Sequence, residues 1–178
     1  MPNSEGLVPV RHVVLMGLMA VGKTTVGREL ATVLGWDYHD NDAALLATTG
    51  ATAREHNERL GTDALHRFEA NGLLGALAGP APRVLGAAAS SIEDNRCVAA
   101  LSEPDVFAVW LRTDPAHLAA RVRSGPHRPE LALDLDALLA EQSARRGPPF
   151  ASVADLVVDA DSATPAEIAA RIEAALPR

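Results

Sequence analysis

The sequence predicts an α/β fold in three layers, a central parallel sheet flanked by helices. Short apolar runs bounded by turn residues recur along the chain, and segments of helical apolar spacing separate them. Polar residues suited to chemistry follow directly after several of those runs, at the strand ends where open parallel sheets take their ligands. Composition agrees: 178 residues, 48% hydrophobic and 22% charged, suit one domain spanning 1–178. Aromatics are only 3%, so the core is expected to be Ala, Val and Leu.

Val13 to Met16, between Arg11-His12 and Gly17, reads as a buried strand. Val26, Leu30, Val33 and Leu34 give helical spacing over Lys23 to Leu34, and Gly35 supplies the stop. Trp36 to Asp40 is a second strand that ends in acids. A helix through Ala43 to Leu46 stops at Gly50, and Thr52 to Leu60 and Thr62 to Leu77 form two more, broken at Gly61. Pro80 and Pro82 mark a turn before a strand at Arg83 to Ala87. Ile92 to Leu101 is expected as one helix, and Val106 to Leu111 as the next strand. Asp114 caps a helix from Pro115 to Arg123, with proline at its preferred first position. An irregular SGPHRPE stretch follows, then a helix around Leu135 to Arg145 that the GPP tripeptide is expected to break. Leu156 to Val158 is the last strand, and Thr164-Pro165 opens a C-terminal helix.

The net charge of −7 lacks the basic footprint of a nucleic-acid binder. A single cysteine, Cys97, excludes an internal disulfide and reads as a small buried apolar residue. The start MPNSEGLVPV has no basic-then-apolar leader pattern, and no apolar run approaches the ~20 residues of a membrane span. A cytoplasmic protein is expected, a monomer or weak dimer, with no membrane and no nucleic-acid partner.

The most specific signal is GLMAVGKT, which fits G-x-x-x-x-G-K-[ST] between a predicted strand and a predicted helix. Backbone N–H groups of such a P-loop point inward at phosphate oxygens, and the helix N-terminus adds partial positive charge. Gly17, Ala20, Val21, Gly22, Lys23, Thr24 and Thr25 are thus the expected binding residues for the phosphates of ATP with Mg2+. Lys23 would neutralise the β/γ oxygens, Thr24 would ligate the metal, and Thr25 would help hold the α-phosphate.

With these features in order, nearly the whole chain, Val13 to about Ile172, resembles the shikimate kinase family of small P-loop kinases. GLMAVGKTTVGREL resembles the family's P-loop and first helix, with Ala20 where a glycine is usual. YHDNDAALLATTG resembles its strand ending in Asp-x-Asp, and LGTDALHRFE its Gly-x-x-x-Phe-Arg-x-x-Glu segment. RVRSGPHRP resembles its lid, here about 122–135. RRGPPFASVADLVVD resembles its helix end and final strand, and DADSATP its adenine loop.

The resemblance implies a kinase acting on a small hydroxylated acceptor, with residue roles. Asp40 would sit near magnesium, directly beside Thr24 or through water. Asp42 would orient or deprotonate the acceptor hydroxyl; a helix N-cap is its plainer role. Arg121 and Pro165 would line the adenine pocket, and Arg128 would be the lid arginine that closes on the phosphates. Arg146 would grip the acceptor carboxylate as a planar fork, with Arg145 facing solvent. Glu69 would pair with Arg146 or His66.

Two departures fall in the acceptor pocket. His66 stands where the family has a second carboxylate-binding arginine, and Ala88, Ala89 and Ser90 stand where it has a glycine run at a strand end. Losing one partner of a buried charge contact typically costs roughly 2–5 kcal/mol. The expected acceptor is therefore a compact polar molecule other than shikimate. Authentic shikimate kinase, a kinase of gluconate or a cyclitol, and a catalytically weak nucleotide-binding module are the alternatives. A GTPase would need an Asn-Lys-x-Asp motif, which the chain lacks.

Overall fold

The computed structural model describes residues 8–124 and 134–177. Among the described residues, five parallel strands form one sheet: β1 (His12–Met16), β2 (Asp37–Asp40), β3 (Arg83–Gly86), β4 (Val106–Arg112) and β5 (Leu156–Asp159). Their order is β2-β3-β1-β4-β5, with Val14 opposite Leu85 on one side and Ala108 on the other. All five residues of β1 are buried, as expected for the central strand of a sheet covered on both faces.

Eight α-helices among the described residues surround the sheet: α1 (Lys23–Leu34), α2 (Asn41–Thr49), α3 (Ala53–Leu60), α4 (Thr62–Leu77), α5 (Asn95–Leu101), α6 (Pro115–Ser124), α7 (Leu135–Val153) and α8 (Pro165–Ala175). The α1 and α8 helices pack on each other. Thr164 and Glu167 form a reciprocal capping box that starts α8, with Pro165 at its first turn. From β1 the chain crosses to β2 at one edge of the sheet, and from β3 it crosses in the opposite direction, past β1, to β4. The crevice between the carboxyl ends of β1 and β3 is therefore the topological switch point where such sheets bind ligands.

Two expected elements differ. The predicted helix over Ile92 to Leu101 is divided into a 3-10 helix, Ala89–Glu93, and α5. Asp94, extended at φ −97° and ψ 117°, accepts from the Arg96 amide at 2.9 Å and so caps a new helix start. The expected break at GPP does not occur, because α7 runs through Pro148 and Pro149 to Val153. Each proline removes a helix donor, at a cost of roughly 3 kcal/mol. Packing opposes that cost: Phe150 and Val153 on the next turn are buried, and Phe150 stacks on Trp110 with centroids 5.8 Å apart.

Candidate active site

The loop after β1 has a backbone that few residue types can adopt. Gly17 has φ +146°, and a Cβ there would lie 2.6 Å from the Leu111 carbonyl oxygen, so only glycine fits. Ala20 has φ +65°, and it is the only non-glycine with positive φ among the described residues. Its methyl costs about 1 kcal/mol where the glycine usual in the family would cost nothing. Lys23 opens α1 and folds back, donating to the carbonyls of Gly17 at 2.9 Å and Leu18 at 3.0 Å. Burial lowers its pKa to about 8, against the opposing pull of the Asp42 and Asp40 carboxylates.

Asp40 ends β2 and serves both the loop and the following helix. Its Oδ1 accepts the Asp42 and Ala43 amides at 3.0 and 3.2 Å, which makes Asp40, and not Asp42, the N-cap of α2. Its Oδ2 accepts from Thr24 Oγ1 at 2.8 Å and from Tyr38 Oη at 2.9 Å. Burial opposes ionisation, but these bonds together hold the carboxyl below its usual value. A hydroxyl and an ionised carboxylate side by side at a phosphate loop suit Mg2+, a hard cation that prefers oxygen ligands and keeps part of its water shell. Thr24 and Asp40 are the residues that would hold it.

Tyr38 was not legible as a site residue. It shares a strand face with Asp40, two positions away. Its ring lies between two glycines: a Cβ on Gly27 would stand 2.2 Å from Cε2, and one on Gly86 2.5 Å from Oη.

Asp42, freed from capping, projects from the first turn of α2. Burial and then the neighbouring Asp40 charge raise its carboxyl pKa, with Lys23 opposing. Asp42, Asp40, Arg146 and Glu69 all act electrostatically on Lys23, so the structure gathers these predicted residues around the lysine. Arg121 on α6, expected at the adenine pocket, donates to the Val21 carbonyl at 3.4 Å and the Ala160 carbonyl at 3.1 Å. It thus ties the P-loop to the segment leading to Pro165. Arg128 and most of the lid stretch lie outside the described residues.

The acceptor side departs from the expected pairing. Glu69 on α4 accepts from Ser90 Oγ instead of pairing with Arg146 or His66. Burial raises the Glu69 pKa, while the Ser90 bond opposes. Arg146 and His66 turn to Glu93, which the sequence did not single out. Arg146 Nε and Nη2 lie 3.0 and 3.5 Å from the Glu93 carboxylate, and His66 Nδ1 lies 3.7 Å away. Arg145 is exposed as expected, yet its Nε also reaches Glu93 at 2.8 Å. Burial lowers the His66 pKa, and the two arginines reinforce it over the opposing Glu93 charge. Ala88 and Ala89 are half-buried where β3 gives way to the 3-10 helix.

This arrangement has close counterparts among known proteins. A family model described as Shikimate kinase matches residues 19–177. A shikimate kinase of Caulobacter vibrioides (strain NA1000 / CB15N) is 37% identical over 128 residues, 71% of this chain and 63% of that protein's length. A shikimate kinase of Salinispora tropica is 35% identical over 165 residues, 92% of this chain and 96% of that protein. Among solved structures, the shikimate kinase from Acinetobacter baumannii in complex with shikimate superposes with a TM-score of 0.85. That match has 26% identity and covers 96% of this chain and 95% of that one. With its P-loop, its Asp40–Thr24 pair and a family match over most of its length, this chain belongs to the shikimate kinase family.

Proposed function

We propose that this chain is an ATP-dependent small-molecule kinase that moves the γ-phosphoryl group to a hydroxyl of a compact polar acceptor other than shikimate. The observation that carries this reading is the convergence of Lys23, Asp40 and Asp42 at the carboxyl ends of β1 and β2. Lys23 leaves the Gly17 and Leu18 carbonyls for the β/γ oxygens, which restores a full positive charge where negative charge gathers. Mg2+ held beside Thr24 and Asp40 would supply further neutralisation of the phosphates. Asp42, its pKa raised by burial, orients the acceptor hydroxyl and takes its proton as the new P–O bond forms and the bond from the γ-phosphorus to the ADP oxygen breaks. Arg128 keeps the part that the family resemblance gives it, closing on the transferred group. Positioning and fixed charge supply most of the rate.

The names of the relatives favour shikimate as the acceptor, while His66 and the Ala88-Ala89-Ser90 segment favour another compound. ADP release measured with shikimate, sugar acids and cyclitols decides between them. Lys23→Ala is expected to abolish turnover, and Asp42→Asn to lower kcat roughly 100-fold or more while sparing ATP affinity. Unchanged turnover in Asp42→Asn would remove that carboxylate from the mechanism. ATP binding without stimulation by any acceptor would reject the kinase reading in favour of a nucleotide-binding module.

A further inference from the structure

The family resemblance makes Arg146 the anchor for a carboxylate on the acceptor; the inference below rests on the kinase reading and revises that one role. The guanidinium is already engaged. Its side chain is 7% exposed, with Nε and Nη2 on Glu93 and Nη1 on Gln142 at 3.3 Å. Glu93 is itself held from a second side by Arg145, which also pairs with Glu141 at 3.1 Å. The formal charges of Arg145, Arg146, Glu93 and Glu141 sum to zero. Burial lowers the His66 pKa, which disfavours the charged imidazole there. The other ionisable groups of the cluster are Asp40, Asp42 and Glu69, all carboxyls, and Lys23, which serves the phosphate loop.

We infer that Glu93 occupies the carboxylate seat on Arg146 from within the chain, so that the acceptor is a neutral polyol, a cyclitol or a sugar, and not a carboxylate. A tethered carboxylate competes at a high effective concentration against any dissolved one. An incoming anion must also displace Glu93 beside these further carboxyls, which adds like-charge repulsion. A neutral polyol avoids both costs and finds acceptors and donors in Asp42, Ser90, Glu69 and Gln142. Glu93 is thereby a specificity-determining residue: it sets the charge that the pocket admits.

Matched acceptors that differ only in a carboxylate or a hydroxymethyl group test this directly: shikimate against its hydroxymethyl analogue, and gluconate against glucitol. Wild-type protein is expected to prefer the neutral member by about tenfold or more in kcat/KM. Glu93→Gln keeps an acceptor for Arg146 but removes the charge, and is expected to shift the preference toward the carboxylate by a similar factor, through KM. Calorimetric binding of the same pairs, with a non-hydrolysable ATP analogue present, reads the preference without turnover. A wild-type preference for the carboxylate member overturns the inference, as does failure to bind either neutral compound, whether or not the variant folds. Retained preference for the neutral member without turnover rejects the kinase reading alone.

Discussion

Lys23 couples the state of the P-loop to pH. Its pKa, brought to about 8 by burial, means that the nucleotide-free loop loses its cation as pH rises through that value. Incoming phosphates stabilise the charged form, so the lysine of the complex titrates higher. The expected result is that kcat/KM for ATP, which reports the free enzyme, falls on the alkaline side from about pH 8, with the corresponding limb of kcat at higher pH. On the acid side, Asp42 has a raised pKa, so its basic form is lost as pH falls through that raised value, and kcat declines with it. Initial rates at limiting and saturating ATP across the pH range check both limbs. A kcat/KM profile that stays flat well above pH 8 would show that Lys23 keeps its proton in the free loop.

At the scale of elements, the niche for Tyr38 joins α1, β2 and β3. Gly27 sits inside α1, where alanine would ordinarily gain about 1 kcal/mol of helix propensity. Here the added Cβ would stand 2.2 Å from a ring whose hydroxyl already abuts Gly86, so the ring cannot simply retreat. Overpacking of that kind costs roughly 1–3 kcal/mol. It also displaces the Tyr38 hydroxyl from Asp40. Gly27→Ala is therefore expected to lower Tm, by roughly 2–4 °C per kcal/mol in a chain of this size, and to weaken magnesium-dependent ATP binding. Tyr38→Phe keeps the ring in place and removes only the hydrogen bond, so its loss of stability should be smaller. Thermal unfolding of the two variants and ATP titration with and without Mg2+ separate the effects; a Gly27→Ala protein as stable as wild type would mean that the niche yields.

Across the whole molecule, what could be read from sequence and what could not divide along a physical line. The strands and the helices flanked by Gly35, Gly50 and Gly61 were legible because apolar period and stop residues act locally. The P-loop was legible because its backbone task demands glycine and lysine at fixed spacing. Continuation of α7 through Pro148-Pro149 was hidden, since the packing of Phe150 on Trp110 that offsets the prolines joins residues far apart in sequence. Glu93 was hidden for the same reason. Fifty-odd residues separate it from Arg146, and only the fold shows that it answers both Arg146 and His66. Glu69, read as the partner of those cations, turned instead to Ser90, a pairing that depends on how α4 lies against the 3-10 helix.

The Trp110–Phe150 stack also provides an optical handle. The chain has two tryptophans. Trp36 precedes β2, away from the carboxyl ends of the strands, while the Trp110 ring lies close enough to α7 that a Cβ on Gly147, next to Arg146, would stand 3.9 Å from its Cη2. Any adjustment of that turn on acceptor binding alters the environment of the indole. A Trp36→Phe protein should therefore report occupancy of the acceptor pocket through its remaining tryptophan emission, with no label and no coupled assay. Titration of that emission with each acceptor gives an affinity that can be set against the calorimetric one. A signal unmoved by an acceptor that calorimetry shows to bind would place that ligand away from Arg146.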